Sequence, residues 1–136
     1  MNTVNEQEKK RLTNQTISIK KKLEEHFELK VVQDFLSKDE KDELGDSYNY
    51  FIIEEDGFDA PMSENGKYSV SQNVYVTFYS EGRESLTGDQ LDVLTLLHSS
   101  SFKFNGTEVN HLKLDNQDRF IDQVIFSFKR IIRSGC

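Results

Sequence analysis

The sequence predicts an α+β domain, an antiparallel or mixed four-stranded sheet with helices packed on it, in the order α-β-β-α-β-β. Three observations predict it. Apolar residues recur at helical spacing through residues 5–28. Aromatic residues are then concentrated in extended runs: only Phe27 and Phe35 precede residue 48. Finally, 136 residues suit one domain with a core of its own.

Leu12, Thr16, Ile19, Leu23 and Phe27 share one face of a 3.6-residue period, so residues 5–28 read as an amphipathic helix. Val31, Val32, Phe35 and Leu36 form a short apolar patch that closes the helical N-terminal segment, residues 1–36. Residues 37–47 are a charged connector, closed by Gly45, with room for a helical turn. The sheet-and-helix core occupies 48–132 of a single 1–136 domain.

Tyr48–Glu55 predicts the first strand, apolar on both sides at its centre. Asn73–Ser80 is the second, with Val74, Val76 and Phe78 on one face and Tyr75, Thr77 and Tyr79 on the other. Asp56–Gln72, with Gly57, Pro61 and the turn pair Asn65-Gly66, reads as a long hairpin loop. Ser85 or Thr87 caps a second helix running to about Ser99, with Asp89 in its first turn and a wide apolar stripe of Leu91, Leu94 and Leu97 with Val93 and Leu96 beside them. Phe102–Phe104, a turn at Asn105-Gly106, and Val109–Leu114 make an irregular third stretch. After a polar turn at Asp115–Asp118, Arg119–Arg130 is the last strand. It places Phe120, Val124, Phe126 and Phe128 on one face and Ile121 and Ile125 on the other.

The net charge of −7 is unevenly placed: residues 1–47 carry −2, 48–100 carry −7 and 101–136 carry +2. Only the ends could supply a basic surface for nucleic acid, and the N-terminal lysines read as a solvated helix face. No apolar run has the length of a membrane span, and Met1–Lys10 is too polar for a signal peptide. An intracellular setting is expected, and Cys136, the only cysteine, has no intrachain partner.

Constellations for catalysis are mostly missing. His26, His98 and His111 match no zinc spacing, and no phosphate-binding glycine loop or nucleophile elbow is present. The expectation is therefore no catalytic residue, no metal and no cofactor. The acidic group Glu54, Glu55, Asp56, Asp59 and Glu64 does not follow the alternating ligand pattern of a calcium loop. It reads as a solvated strand end, with a two-carboxylate hydrolase as a weaker reading. Tyr75, Tyr79, Ile121 and Ile125 lie on strand faces that need cover, from a partner subunit or from the N-terminal helix.

Taken in order, the N-terminal helix, Tyr50–Asp56, the acidic Pro-containing loop, Asn73–Ser80, Asp89–His98, Phe102–Phe104 and Phe120–Arg130 make a sequence of segments with a known counterpart. The chain resembles the tail terminator (tail-completion, or tail-to-head joining) proteins of long-tailed, siphovirus-like bacteriophages over about residues 5–132. The likeness rests on segment order, length and flavour, and the charged 37–47 connector departs from it. What the resemblance implies is a structural protein without catalysis. Family members form a hexameric ring on the last ring of the tail tube, stop its polymerisation and join it to the head connector. The implied partners are other copies of the chain, the tail tube protein and the head–tail connector protein. DNA would pass through the lumen without sequence-specific binding, and no membrane is involved. The implied location is the host cytoplasm during assembly, then the neck of the virion.

On that reading the assembly interface would draw on Glu54, Glu55, Asp56, Asp59, Tyr75, Tyr79, Arg83, Ile121, Ile125, Lys129 and Arg130. The basic N-terminal helix and the basic tail Lys129, Arg130 and Arg133 would meet a neighbour's acidic segment around Glu54–Asp59. The alternative is a small intracellular acidic binding or inhibitor module acting on a basic partner protein through residues 54–64.

Overall fold

A computed structural model describes residues 5–45, 47–60, 62–64, 67–114 and 119–134. The elements run α1 (Glu6–Phe27), β1 (Lys30–Gln33), α2 (Lys38–Leu44), β2 (Tyr50–Phe58), β3 (Met62–Glu64), β4 (Lys67–Ser80), α3 (Leu86–Leu97), β5 (Phe102–Lys113) and β6 (Phe120–Ser134). The sheet is mixed, in the order β1-β2-β4-β6-β5, and the short β3 pairs with β4 alone.

This corrects the expected four-stranded sheet in the order α-β-β-α-β-β. The patch around Val31-Val32 is itself a strand, paired in parallel with β2 from Lys30↔Tyr50 to Gln33↔Ile53. A parallel pair needs a crossover of a dozen or more residues. The charged connector supplies it, and α2 lies inside. Ser37 starts α2 with a reciprocal capping box: its hydroxyl accepts the Glu40 N–H, and the Glu40 carboxylate accepts the Ser37 N–H.

The region read as a long loop is largely strand. β2 runs on to Phe58, and β4 begins at Lys67, where it pairs with β3. Asn65-Gly66, Pro61, Asp115–Asp118 and Cys136 lie outside the described residues. Asn105-Gly106 is a bulge inside β5 rather than a turn. The register passes from Phe104↔Phe128 to Thr107↔Phe126, which leaves one extra residue on β5. Gly106 absorbs it at φ 120, a conformation that side chains of L residues rarely reach.

Both long helices pack on one face of the sheet. Ile19, Leu23 and Phe27 of α1 join Val93 and Leu97 of α3 over Phe51, Ile53, Val74, Val76, Phe78, Val124, Phe126 and Phe128. Aromatic contacts organise this core: Phe51 stacks on Phe78 with centroids 4.5 Å apart, and Phe102 stacks on Phe128 at 4.4 Å. Ser85 caps α3, its hydroxyl accepting the Gly88 N–H at 3.0 Å. The buried stripe of α3 is Asp89, Val93 and Leu97, and Leu91 points outward at 60% exposure. Val93 and Leu97 lie in the core and Leu94 and Leu96 pack against it, while Asp89 takes an inward position where it holds Arg83.

That orientation has a measurable consequence. Leu97→Ala removes buried side-chain volume and lowers unfolding free energy by about 2–5 kcal/mol. Leu91→Ala changes it by no more than about 0.5 kcal/mol. Urea denaturation of the two variants checks this, and equal losses would mean that the stripe is drawn wrongly.

Candidate assembly face

β-Strands alternate their side chains, so a sheet covered on one side has a second side to account for. Here that side carries no long helix, because α1 packs with α3 on the opposite one. The reading in which the N-terminal helix covers Tyr75, Tyr79, Ile121 and Ile125 is therefore corrected. Register lays the second face out in rows. One row runs Val32, Ile52, Thr77, Ile125 and Glu108 across β1, β2, β4, β6 and β5. The row on one side is Tyr50, Tyr79, Gln123 and Asn110; the row on the other begins Glu54, Tyr75 and Ser127.

Ile52, Tyr75, Tyr79 and Ile125 are half-buried, whereas Ile121 is only 4% exposed and Thr77 is buried. The polar groups among them are connected. Tyr50 stacks on Tyr79 with centroids 5.0 Å apart. The Gln123 amide donates to the Tyr79 hydroxyl at 2.9 Å, and Asn110 donates to the Gln123 carbonyl oxygen at 3.1 Å. Such a network holds its side chains in place. Thr77 lies on this face with Tyr75 and Tyr79 as alternation predicts, whereas Ile52, Gln123 and Asn110 were not among the residues expected here. Ile52 had left a signal, since β2 is apolar on both sides at its centre.

The charged candidates divide differently. Glu54 is exposed on this second face, and Asp56 is exposed near the end of β2, where its carbonyl accepts the Gln72 amide at 3.1 Å. Asp59 is held by Lys129 at 2.6 Å and Ser71 at 2.9 Å, with Asn73 at 3.3 Å. These bonds, the Lys129 contact first, hold the Asp59 carboxyl below its ordinary range. Arg83 lies on the helix side, bidentate on Asp89 at 2.9 and 3.0 Å and above the rings of Phe27 and Phe78.

Arg130 is 1% exposed and belongs to the helix-side core. It donates to Thr16 Oγ1 at 2.7 Å and to Gln72 Oε1 at 3.4 Å, and lies 3.6 Å from Glu55 Oε1. Burial pulls its guanidinium below its ordinary value, and the Glu55 carboxylate opposes that shift. The basic tail and acidic segment expected to meet between neighbours thus meet within one chain, as Lys129–Asp59 and Arg130–Glu55.

Among the described residues, no group of three or more His, Cys, Asp and Glu side chains is placed to hold a metal ion. None of their helices is long and apolar enough to cross a membrane. An open cleft of about 500 Å³ lies beside the start of α3, lined by Arg83, Ser85, Asp89 and Asp92. Its guanidinium is already neutralised by Asp89. The chain matches no protein-family model and no curated protein sequence.

Two tests follow from this geometry. Arg130→Ala empties a buried position and removes the bonds to Thr16 and Gln72, costing about 1–3 kcal/mol in urea denaturation, whereas Arg130→Met refills the space and recovers most of that loss. A smaller loss for alanine than for methionine would show that Arg130 is not a buried anchor.

The second concerns Tyr50, whose phenol burial pushes up to about 12, aided by Tyr79 and Tyr48. The folded chain holds this proton more tightly than the unfolded one, whose tyrosines ionise near pH ~10. The resulting stability is complete below pH ~10 and is lost as the pH rises towards the folded value. Tyr50→Phe therefore flattens the alkaline fall of the urea midpoint. An unchanged fall in that variant would rule out this origin.

Proposed function

We propose that this protein is a non-enzymatic structural subunit that caps the end of a bacteriophage tail tube as a ring, stops tube polymerisation and forms the joint to the head connector. The observation that supports this reading most is the sheet with both long helices on one side, which leaves half-buried Ile52, Tyr75, Tyr79 and Ile125 on the other. Apolar and aromatic side chains left half-covered on a sheet face can be completed by a second subunit, and self-association is a common way to do so. The resemblance in segment order to tail terminators gives that use a direction. On this reading the chain works in the host cytoplasm during assembly and then in the virion neck. Its partners are other copies of itself, the tube protein and the connector, with DNA passing through the lumen.

The binding-module alternative asks the 54–64 region to present its acids to a basic partner. Glu55 and Asp59 already have basic partners in the same chain, which weighs against it. The decisive experiment adds purified protein to growing tail tubes and images them by electron microscopy. The expected outcome is tubes of limited length ending in a ring of this protein. Uncontrolled growth with bare ends in its presence would overturn the proposal.

A further inference from the structure

The second sheet face carries a charge pattern as well as an apolar one. Its central row has Ile52, Thr77 and Ile125 in the middle and Glu108 at the β5 end, and Glu54 stands beside Ile52 at the β2 end of the next row. Both glutamates are exposed, and neither has a cationic partner among the described residues. Lys103 and Lys129 lie one row further along, and Lys129 is committed to Asp59. An apolar strip bracketed by two unneutralised carboxylates suits a cover that is apolar at its centre and basic on either side.

The chain carries such a surface on the outer side of α1. Ile17 is 58% exposed there, opposite the buried stripe of Thr16, Ile19, Leu23 and Phe27. Lys10 and Lys21, seven residues before and four after Ile17, share its side of the helix and are exposed. Lys21 makes only an exposed contact with Glu25 at 3.9 Å, a pairing of little strength. At ~1.5 Å per residue the two lysines stand about 16 Å apart along the helix. Glu54 and Glu108 are separated by three inter-strand steps of about 4.8 Å and one row of about 7 Å, which also gives about 16 Å.

Resting on the ring reading above, we infer that the outer face of α1 in one copy docks across the second sheet face of the next. Ile17 sits over Ile52, Thr77 and Ile125, with Lys10 and Lys21 set against the two glutamates. The contact is heterologous: the surface that gives differs from the surface that receives. Each copy therefore has one of each to offer, and a rotation per step that returns to the first copy closes a ring.

Single-cysteine variants test it, made in a Cys136→Ser background and compared by circular dichroism with the parent. Ile17→Cys protein is mixed with Tyr75→Cys protein, at up to about 1 mM so that a weak contact is populated, and treated with a short bismaleimide. The expected product is a 17–75 link between the two different variants. A predominant 75–75 link would mean that the sheet faces meet each other, and no 17–75 link would remove the contact; either outcome overturns the inference.

Charge reversal gives an independent reading. Glu54→Lys with Glu108→Lys lowers linking at least about tenfold, because like charges then face each other. Adding Lys10→Glu and Lys21→Glu to the same chain restores it, and failure of that rescue in folded protein overturns the pairing. The ring and the contact fail separately. Links that build open chains without rings would remove the ring and keep the contact. Capping rings without the 17–75 link would remove the contact and keep the ring.

Discussion

A positive charge without solvent fixes where α1 meets the sheet. Arg130 lies inside the helix-side core, donating to Thr16 of α1 and Gln72 of β4, with Glu55 of β2 beside it. Thr16 completes the circuit by donating its own hydroxyl proton to Glu55 at 3.2 Å. A guanidinium cannot shed its charge in a protein, so burying it requires these partners together. Its Nε has no hydrogen-bond partner among the described residues, so the anchor is not fully satisfied. The consequence is positional. The middle of α1 is pinned above three strands, and its apolar stripe can meet only the face on which Arg130 lies.

Pinning α1 there decides what remains outside. With Ile19, Leu23 and Phe27 committed to the sheet, Ile17 must point away from it. With α1 and α3 sharing one side, Tyr75, Tyr79 and Ile125 keep only the cover their neighbours give. The ion pairs act in the same direction. Arg130 takes Glu55, Lys129 takes Asp59 and Arg83 takes Asp89, so much of the segregated charge visible along the sequence is cancelled inside the chain. Glu54 and Glu108 escape this cancellation on the second face, which is why two carboxylates can carry more recognition than a net charge of −7 suggests.

The elements legible in the sequence were those whose periodicity outlasts their ends. α1 and the alternating centres of β4 and β6 are long enough for a period of 3.6 or 2 to declare itself. β1 is four residues, too short for any period, and its pairing with β2 depends on a crossover that only the folded chain completes. Asn105-Gly106 is a favourable turn dipeptide, and nothing local distinguishes a turn from a bulge; β6 running alongside makes the difference. Arg130 was legible in position, since it continues the alternation of Val124, Phe126 and Phe128. Its charge argued for the surface, and only Glu55, Thr16 and Gln72, remote in sequence, make burial tolerable. For the second face, Tyr75, Tyr79, Ile121 and Ile125 could be read from alternation. Gln123 and Asn110 could not, because polar residues on a strand look solvated until their partners are known.

Why a chain should be finished on one side only is a matter of surface supply. A helix covers roughly two strands, helices being about 10 Å across and strands about 4.8 Å apart. Two long helices therefore suffice for one face of a five-stranded sheet and leave nothing for the other. A third long helix would close the domain, and the charged crossover holding α2 is the place where one could have been. α2 is instead a seven-residue helix with no buried residue, so it contributes little apolar cover. Leaving the second face as strands keeps its aromatic and β-branched side chains at fixed spacing, held by cross-strand stacking and hydrogen bonds. Such a face can be repeated identically from copy to copy, and that repetition is what a closed assembly requires of its subunit.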